Sequence, residues 1–306
     1  MTKNHFVPQF YLKGFIDPAS KDLHNPYLWV VDLQDRIVMK KGPENVARIV
    51  GFYDWDELGD IAPSIEDIYS KIESRAAPVV ARIRNNDFHM TMGDRYNLSI
   101  FIGFQISRTP FARSLVIDRI KNSGQEKLHE IVRNEVEFRE KLDNYLKSKN
   151  GESELTFEYI KNLVEENKLQ VIPKRDNVLG TTLSMGLIFA EKVFLNSYWL
   201  FVLATGGACY FTSDHPVSIG KPSGNALKGR KNLEFEIAIP ISPSCFLLLH
   251  QYEFIDVVEG VDYLRANEVY EINKLMLRVA DRYVFCSSEE IGMWVLETKQ
   301  RLFSQM

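Results

Sequence analysis

The chain has few cysteines and no excess of basic residues. Three cysteines in 306 residues, Cys209, Cys245 and Cys286, are widely spaced in apolar surroundings, which predicts buried free thiols rather than disulfides or a zinc site. Lysine and arginine (37) are outnumbered by aspartate and glutamate (41), giving a net charge of −4, so binding to nucleic acid would need a local basic patch. Free thiols favour a reducing compartment, and we expect a cytoplasmic protein.

Long apolar runs and established catalytic motifs are also absent. No stretch approaches the roughly 20 apolar residues that cross a bilayer, and the start of the chain lacks the basic and apolar segments of a secretory signal. The sequence contains no Gly-rich phosphate loop, no G-x-S-x-G elbow and no H-E-x-x-H metal motif. We therefore expect no membrane association, and no motif identifies a reaction.

The composition is that of a globular protein, since 45% of the residues are hydrophobic and 25% are charged. The order of patterns predicts a single α+β domain over residues 1–306, with a helical middle section packed against a mostly antiparallel sheet formed largely by the C-terminal third. Its predicted parts are an N-terminal motif and hairpin (1–60), a helical section (61–195) and a sheet-rich section (196–306).

Helical spacing dominates the middle of the chain. Ser64 and Asp67 resemble a capping box, and apolar residues recur at helical spacing to about Arg84, with Pro78 expected to kink or split the helix. A second, buried helix is predicted from Asp94 to Lys121, kinked or interrupted at Pro110. Further helices are predicted at residues 125–148, 153–167, 175–195, 265–278 and 288–297.

Strand patterns lie at both ends of the chain. A hairpin is predicted from residues 27–33 and 36–40, whereas residues 43–60 have the pattern of a loop with short turns. The strongest hairpin signal joins residues 198–205 to 208–212 through Gly206-Gly207. Other predicted strands cover residues 234–239, 245–250 and 283–286, and residues 222–231 are predicted to form a flexible loop.

Several short phrases occur together over nearly the whole chain: HFVPQFYLKGF (5–15), GFY (51–53), IEDIYSKIE (65–73), QISRTP (105–110), FTSDHPV (211–217) and ADRYV (280–284). In this order they resemble a bacterial domain-of-unknown-function family, number 4238. The resemblance implies one domain and spaced polar residues that meet in space, and it supplies no reaction. It also implies asparagine more often than histidine at position 215, where this chain has His215.

The opening phrase supplies the first two candidates. His5 precedes a short helix that is predicted to begin near Pro8 and to run to about Gly14, and the positive end of that helix would favour the neutral imidazole. His5 is then a candidate general base or ligand, and Gln9 a candidate substrate-binding amide. The alternative is a packed terminus in which His5 bonds to backbone.

Gln105, Arg108 and Arg113 are candidates for binding an anionic substrate. Gln105 and Arg108 share a helix face at the end of a stretch too apolar for a surface, so both need partners. A guanidinium group matches a phosphate or a carboxylate. The alternative to an anion pocket is an internal pair of Arg108 with one of three carboxylates: Glu66, Glu73 or Asp214.

Asp214 and His215 lie at the end of a predicted strand, directly before Pro216. Catalytic groups are often located at such strand ends. Asp214 is the candidate base or metal ligand, and His215 is a candidate for binding the substrate. The alternative for Asp214 is an Asx-turn, with its carboxylate bonded to nearby backbone amides.

Together these residue types predict a hydrolase of a phosphate-containing substrate, either nucleic acid or a nucleotide. Asp214 and His5 are its predicted catalytic residues, and a divalent metal ion is one option as cofactor, without an assigned ligand set. A carboxylate row at Glu66, Asp67 and Glu73 has the pattern of a solvated helix face, with a metal site as the alternative. The competing hypothesis is a non-catalytic binding or regulatory protein, with a protein partner, whose polar motif residues form an internal network.

Overall fold

The computed structural model describes residues 3–59, 62–149, 156–220, 237–251 and 259–303. Its elements in chain order are β1 (Lys3–His5), α1 (Gln9–Leu12), β2 (Leu28–Asp32), β3 (Ile37–Lys41), β4 (Arg48–Val50), α2 (Ile65–Arg84), α3 (Met92–Ser107), α4 (Pro110–Ile131), α5 (Glu135–Lys149), α6 (Phe157–Glu165), α7 (Arg175–Asn196), β5 (Ser197–Ala204), β6 (Thr212–Ser213), β7 (Ser218–Ile219), β8 (Ile237–Ser242), β9 (Cys245–Gln251), β10 (Glu259–Leu264), α8 (Ala266–Val279), β11 (Tyr283–Cys286) and α9 (Glu289–Phe303). The α+β class is confirmed, with the sheets largely in the C-terminal part.

The chain forms two compact units. One unit combines Met1–Ala112 with Thr182–Met306, and the other is Arg113–Thr181. The second unit has a small core of its own, which contains Val132, Phe138, Phe157 and Val164. The single domain over residues 1–306 stays a prediction.

The described strands form three sheets in the first unit. The larger sheets have the orders β10-β5-β9-β8-β7 and β3-β2-β11-β6, and β1 pairs with β4 in a two-stranded sheet. Among the described strands, every pairing is antiparallel except that of β10 with β5. The N-terminal hairpin of β2 and β3 therefore joins the C-terminal strand β11, and β4 lies in a segment for which the sequence predicted only loop and turns.

The predicted hairpin around Gly206-Gly207 is wrong. Both glycines do adopt positive φ, at 69° and 77°, so the turn exists. However, β5 lies between β9 and β10, whereas β6 belongs to the other large sheet and pairs with β11. The predicted loop at 222–231 and the first part of the predicted strand at 234–239 lie outside the described residues.

Capping and proline signals mark several helix ends, but the predicted break between residues 121 and 125 is wrong, because α4 continues to Ile131 and α5 begins at Glu135. Ser64 caps α2 by accepting a hydrogen bond from the Asp67 amide at 3.3 Å, and the helix continues through Pro78. The second predicted helix is interrupted before Pro110, so that Ser107 ends α3 and Pro110 begins α4. None of the described helices is both long enough and apolar enough to cross a membrane.

The central strands of the five-stranded sheet are buried on both faces. On one face, Leu200, Val202 and Leu248 pack with residues of β2, β11, α8 and α9. On the other face, the Arg95 guanidinium of α3 lies 4.9 Å from the Trp199 ring. The C-terminal part of α7 packs on α3 at Gly103, where an added Cβ would lie 2.3 Å from the Ala190 nitrogen. Helix α3 is thereby fixed against the sheet, and four of its polar residues are buried: Arg95, Ser99, Gln105 and Ser107.

Candidate functional site

Long polar side chains of α3 hold the N-terminal motif (residues 5–15) through its backbone. Gln105 donates from Nε2 to the Phe6 carbonyl at 2.9 Å, and Arg108 donates from Nη2 to the His5 carbonyl at 2.5 Å. Both polar residues are buried, as the sequence predicted. Two backbone carbonyls of the motif are thus satisfied by buried side chains of α3.

Arg84, at the end of α2, holds the same motif one helical turn further along. It donates to the carbonyls of Phe10 and Tyr11 at 3.0 and 2.7 Å, and to the Ile241 carbonyl of β8 at 3.0 Å. Burial lowers the pKa of Arg84 to about 10. Gly14 lies directly against this guanidinium, where an added Cβ would come within 2.2 Å of Nη2. The polar role of Arg84 was not predicted from the sequence.

Arg108 forms an internal ion pair. Its Nη1 lies 2.8 Å from Glu73 Oε1, its Nε donates to the Tyr53 hydroxyl at 3.2 Å, and its guanidinium carbon lies 4.2 Å from the Tyr69 ring centroid. Burial lowers the pKa of Arg108, but Tyr53 and Glu73 raise it by more, so the net shift is upward. Glu73 is therefore the partner among the three carboxylates proposed from the sequence, and it balances the charge of Arg108.

His5 is half-buried and approaches Arg108 through its backbone carbonyl. Among the described residues, its Nε2 atom is buried without a hydrogen-bond partner. Burial lowers the pKa of His5, and Arg48 and Arg108 lower it further, against a hydrogen bond to the Glu44 backbone that raises it. The imidazole is therefore neutral at pH 7, as predicted for a base, while its catalytic role is untested.

The other predicted substrate-binding residues differ in their surroundings. Gln9 is half-buried at the start of α1, and its side chain has no hydrogen bond to the described residues. Gln105 is fully buried, and its Oε1 atom has no partner in the described part of the chain. Arg113 is half-buried and is the first residue of the second unit. The substrate-binding role of these three residues stays a prediction.

Asp214 accepts three backbone hydrogen bonds. Its carboxylate receives the amides of Asp281, Arg282 and Tyr283 at 3.0, 2.7 and 2.8 Å. The predicted acceptor role is right, but the donors lie 67 to 69 residues away, so the local Asx-turn is wrong. Burial raises the pKa of Asp214 to about 6, although the amides lower it. Asp214 thus extends the pairing of β6 with β11.

His215 contacts the start of α4. Its Nδ1 atom lies 2.8 Å from the Thr109 hydroxyl, which also accepts the Ala112 amide at 3.2 Å and thereby caps the helix. The imidazole meets the Phe111 ring edge-on, with centroids 4.9 Å apart. Burial lowers the pKa of His215 to about 4, so the ring is neutral at pH 7.

The predicted residues therefore form two groups of contacts. His5, Gln105 and Arg108 share the N-terminal motif, whereas Asp214 binds the segment before β11 and His215 binds Thr109. The groups approach each other where Arg108 and Thr109 separate α3 from α4. No described hydrogen bond joins Asp214 to the first group.

A cavity of about 650 Å³ lies beside the first group. We call it the acidic pocket, because its described lining includes three carboxylates and no lysine, arginine or histidine. The lining includes Asn4, Tyr53, Asp54, Trp55, Glu66 and Asp67. None of them is among the predicted catalytic or substrate-binding residues, although Glu66 and Asp67 belong to the carboxylate row for which a metal site was the alternative. Asp54 and Trp55 lie in a segment for which the sequence predicted only loop and turns. The signal that was missed is the acidic, aromatic string DWDEL (54–58) before the Ser64 cap.

The pocket wall is continuous with the Arg108 contacts. Asn4 donates from Nδ2 to Glu66 Oε2 at 2.9 Å, and its Oδ1 accepts the Tyr53 amide at 3.3 Å. The Tyr53 hydroxyl donates to the His5 carbonyl at 3.2 Å and also accepts from Arg108. Across the described residues, no group of three or more His, Cys, Asp or Glu side chains is arranged to hold a metal ion.

Comparison with known families gives one result. The family described as "Protein of unknown function (DUF4238)" matches residues 3–290. No curated protein and no solved structure matches the chain. The match covers both groups of contacts and the acidic pocket.

Proposed function

The chain belongs to the DUF4238 family, which is described as of unknown function, and from its geometry we propose that it is a binding protein whose acidic pocket takes a positively charged group. The observation that carries this proposal is the lining of the pocket. Asp54, Glu66 and Asp67 contribute carboxylates around about 650 Å³, and no basic residue is among the described lining residues.

Charge and shape both support a cationic ligand. Carboxylates that share a cavity repel one another, and a cation among them reverses this repulsion. Trp55 adds a half-buried aromatic ring to the lining, and the face of an aromatic ring attracts a cation. The volume of about 650 Å³ lies within the range of small-molecule sites, so the pocket has room for a whole small cationic molecule.

The contacts of the predicted site residues support binding rather than turnover. Arg108 is paired with Glu73, which weakens its attraction for a phosphate group. Asp214 is 5% exposed, and its carboxylate accepts hydrogen bonds from three backbone amides. The competing hypothesis of a non-catalytic binding protein requires such an internal network of polar residues. In that hypothesis, the acidic pocket is the ligand-binding site.

Titration calorimetry with organic cations, such as spermidine and arginine amide, tests the proposal. We expect binding at low ionic strength, a rise in melting temperature with ligand concentration, and loss of both in the variant Asp54→Asn/Asp67→Asn. Both residues are exposed, so the variant should fold. Asp22→Asn, another exposed acid, is the matched control. Equal binding by all three proteins, or no binding to any cation, would contradict the proposal.

Hydrolysis of a phosphate-containing substrate stays a prediction, and the same preparations test it. Nucleotides, RNA and DNA are incubated with the protein in magnesium, manganese or zinc. Turnover that is lost in Asp214→Ala, without a change in melting temperature, would favour the hydrolase and overturn the binding proposal. A large drop in the melting temperature of Asp214→Ala would favour a structural role for this carboxylate.

We also propose a cytoplasmic location. The support is that Cys209, Cys245 and Cys286 are all free thiols, and the last two are buried. Fractionation of cells that express the tagged full chain tests this, and recovery from an extracellular or membrane fraction would contradict it.

A further inference from the structure

The break between α3 and α4 is fixed by two adjacent residues. Arg108 is held by Glu73, Tyr53 and the His5 carbonyl. Thr109 is fully buried, caps α4 through the Ala112 amide, and bonds His215. The helix that begins here continues into the second unit at Arg113. The start of α4 therefore depends on a histidine that lies 106 residues further along the chain.

The geometry defines which form of His215 fits. Thr109 Oγ1 accepts the Ala112 amide and keeps its own hydrogen for donation, so a neutral imidazole with an unprotonated Nδ1 completes the contact. His215 is 8% exposed and its ring packs against Phe111, so a charged imidazolium would lose most of its hydration at this position. The neutral ring is thus the form that this burial favours.

No nearby carboxylate compensates a charge on His215. Its neighbour Asp214 directs both oxygens to the amides of residues 281–283, and Arg108, beside Thr109, is paired with Glu73. Lys299 of α9 and Asp281 act on Asp214. Among the described residues, no charged side chain contacts the imidazole, and burial alone lowers the pKa of His215.

We propose that the contact of His215 with Thr109 is a pH-sensitive switch, which fixes the start of α4 while the imidazole is neutral and releases it when the imidazole is protonated. The inference is independent of the acidic pocket. The pH range of the switch is set by two pKa values. The pKa of a released histidine is about 6.5, and the pKa of the buried ring is about 4. Protonation therefore favours the released state as the pH falls from about 6.5 to about 4.

Amide hydrogen exchange of the full chain tests the proposal. After correction for intrinsic exchange, the opening of residues 111–114 is expected to rise about 30-fold between pH 7.5 and pH 5 in the parent protein. In His215→Asn, which retains an acceptor for Thr109 but does not titrate, the rise should fall below about threefold. His89→Asn, a change at an exposed histidine, should behave like the parent.

Two further measurements test the same contact. Thr109→Val should open the start of α4 at both pH values, while Thr109→Ser, which keeps the hydroxyl, should restore the parent behaviour. An NMR titration of the parent protein gives the pKa of His215 directly and needs no variant. A pKa of 6.5 or above, or an equal rise of opening in His215→Asn and the parent, would overturn the proposal.

Discussion

Tyr11 places its hydroxyl 2.9 Å from the Thr212 hydroxyl, although 201 residues separate them in the chain. The same tyrosine hydroxyl donates to the Pro240 carbonyl at 2.5 Å. A fully buried side chain of the N-terminal motif thus joins the two large sheets, because Thr212 belongs to β6 and Pro240 to β8. Burial raises the pKa of Tyr11, so this hydroxyl keeps its proton and remains a donor.

Tyr11→Phe should destabilise the protein without changing its fold. The substitution keeps the ring and removes one hydroxyl, leaving the Pro240 carbonyl and the Thr212 hydroxyl without that partner inside the core. Unsatisfied buried groups cost about 1–3 kcal/mol each, and we expect a loss of about 2 kcal/mol in the free energy of unfolding. Urea denaturation followed by circular dichroism measures it.

The control for this prediction is Tyr159→Phe, at a tyrosine that is 54% exposed. Its unfolding free energy should change by less than about 0.5 kcal/mol. If Tyr11→Phe were as stable as Tyr159→Phe, the hydroxyl would not stabilise the junction of the sheets.

Local sequence signals predicted several helix starts and turns correctly, but they did not predict which strands pair with each other. Ser64 predicted the start of α2 because capping is decided by a hydrogen bond to Asp67, three residues away. Gly206 and Gly207 predicted a turn because both need positive φ. The hairpin inferred from them was wrong because strand pairing depends on which distant strands complete each buried face, and no local pattern contains that information.

For the candidate site, the sequence likewise predicted which residues are buried but not which residues they contact. The apolar stretch of α3 indicated that Gln105 and Arg108 would be buried and would need partners. The choice of Glu73 over other carboxylates depends on how α2 packs beside α3, which the sequence does not state. The acidic pocket combines Asp54 and Trp55 from an irregular segment with Glu66 from a helix, so no single periodicity predicts it.

Gly103→Ala should destabilise the contact between α3 and α7. An added Cβ would lie 2.3 Å from the Ala190 backbone nitrogen and 2.6 Å from the Gly186 carbonyl oxygen, so the helices must separate. Overpacking of this kind costs about 1–3 kcal/mol. Gly180→Ala is the matched control, because it lies in α7 with nothing within 4 Å of the new Cβ. It should be neutral or stabilising by up to about 1 kcal/mol, and a similar thermal shift in both variants would contradict the packing argument.

Glu73→Ala should be more damaging than removal of the whole ion pair. The Arg108 side chain is 3% exposed, so the single change leaves a buried charge without its carboxylate, at a cost of about 3–5 kcal/mol. In Glu73→Ala/Arg108→Met the buried charge is absent, and part of this loss should be recovered. Urea unfolding of the two single variants and the double variant measures the coupling. Additive losses would show that Glu73 does not compensate Arg108.

Asp214 should make the protein less stable as the pH rises from about 4 to about 6. Burial raises the pKa of Asp214 from 3.8 to about 6, so the folded chain binds this proton more tightly than the unfolded chain does. A carboxyl group of this kind contributes stability that is complete below pH 3.8 and is lost through pH 6. The unfolding free energy of the parent minus that of Asp214→Asn should therefore fall over this range, by up to about 3 kcal/mol. A constant difference would show that the three amides cancel the effect of burial.

His215, the next residue, should have the opposite effect on stability. Burial lowers its pKa from 6.5 to about 4, so the unfolded chain binds the proton more tightly and stability is lost as the pH falls from 6.5 to 4. The unfolding free energy of the parent minus that of His215→Asn should rise with pH over this range, by up to about 3 kcal/mol. Because the two neighbours act with opposite signs in overlapping ranges, their effects largely cancel in the parent. Urea unfolding at half-unit intervals from pH 4 to pH 7 should then give a steeper pH dependence in each single variant, with opposite slopes. Parallel curves for the parent and both variants would mean that neither side chain changes its pKa on folding.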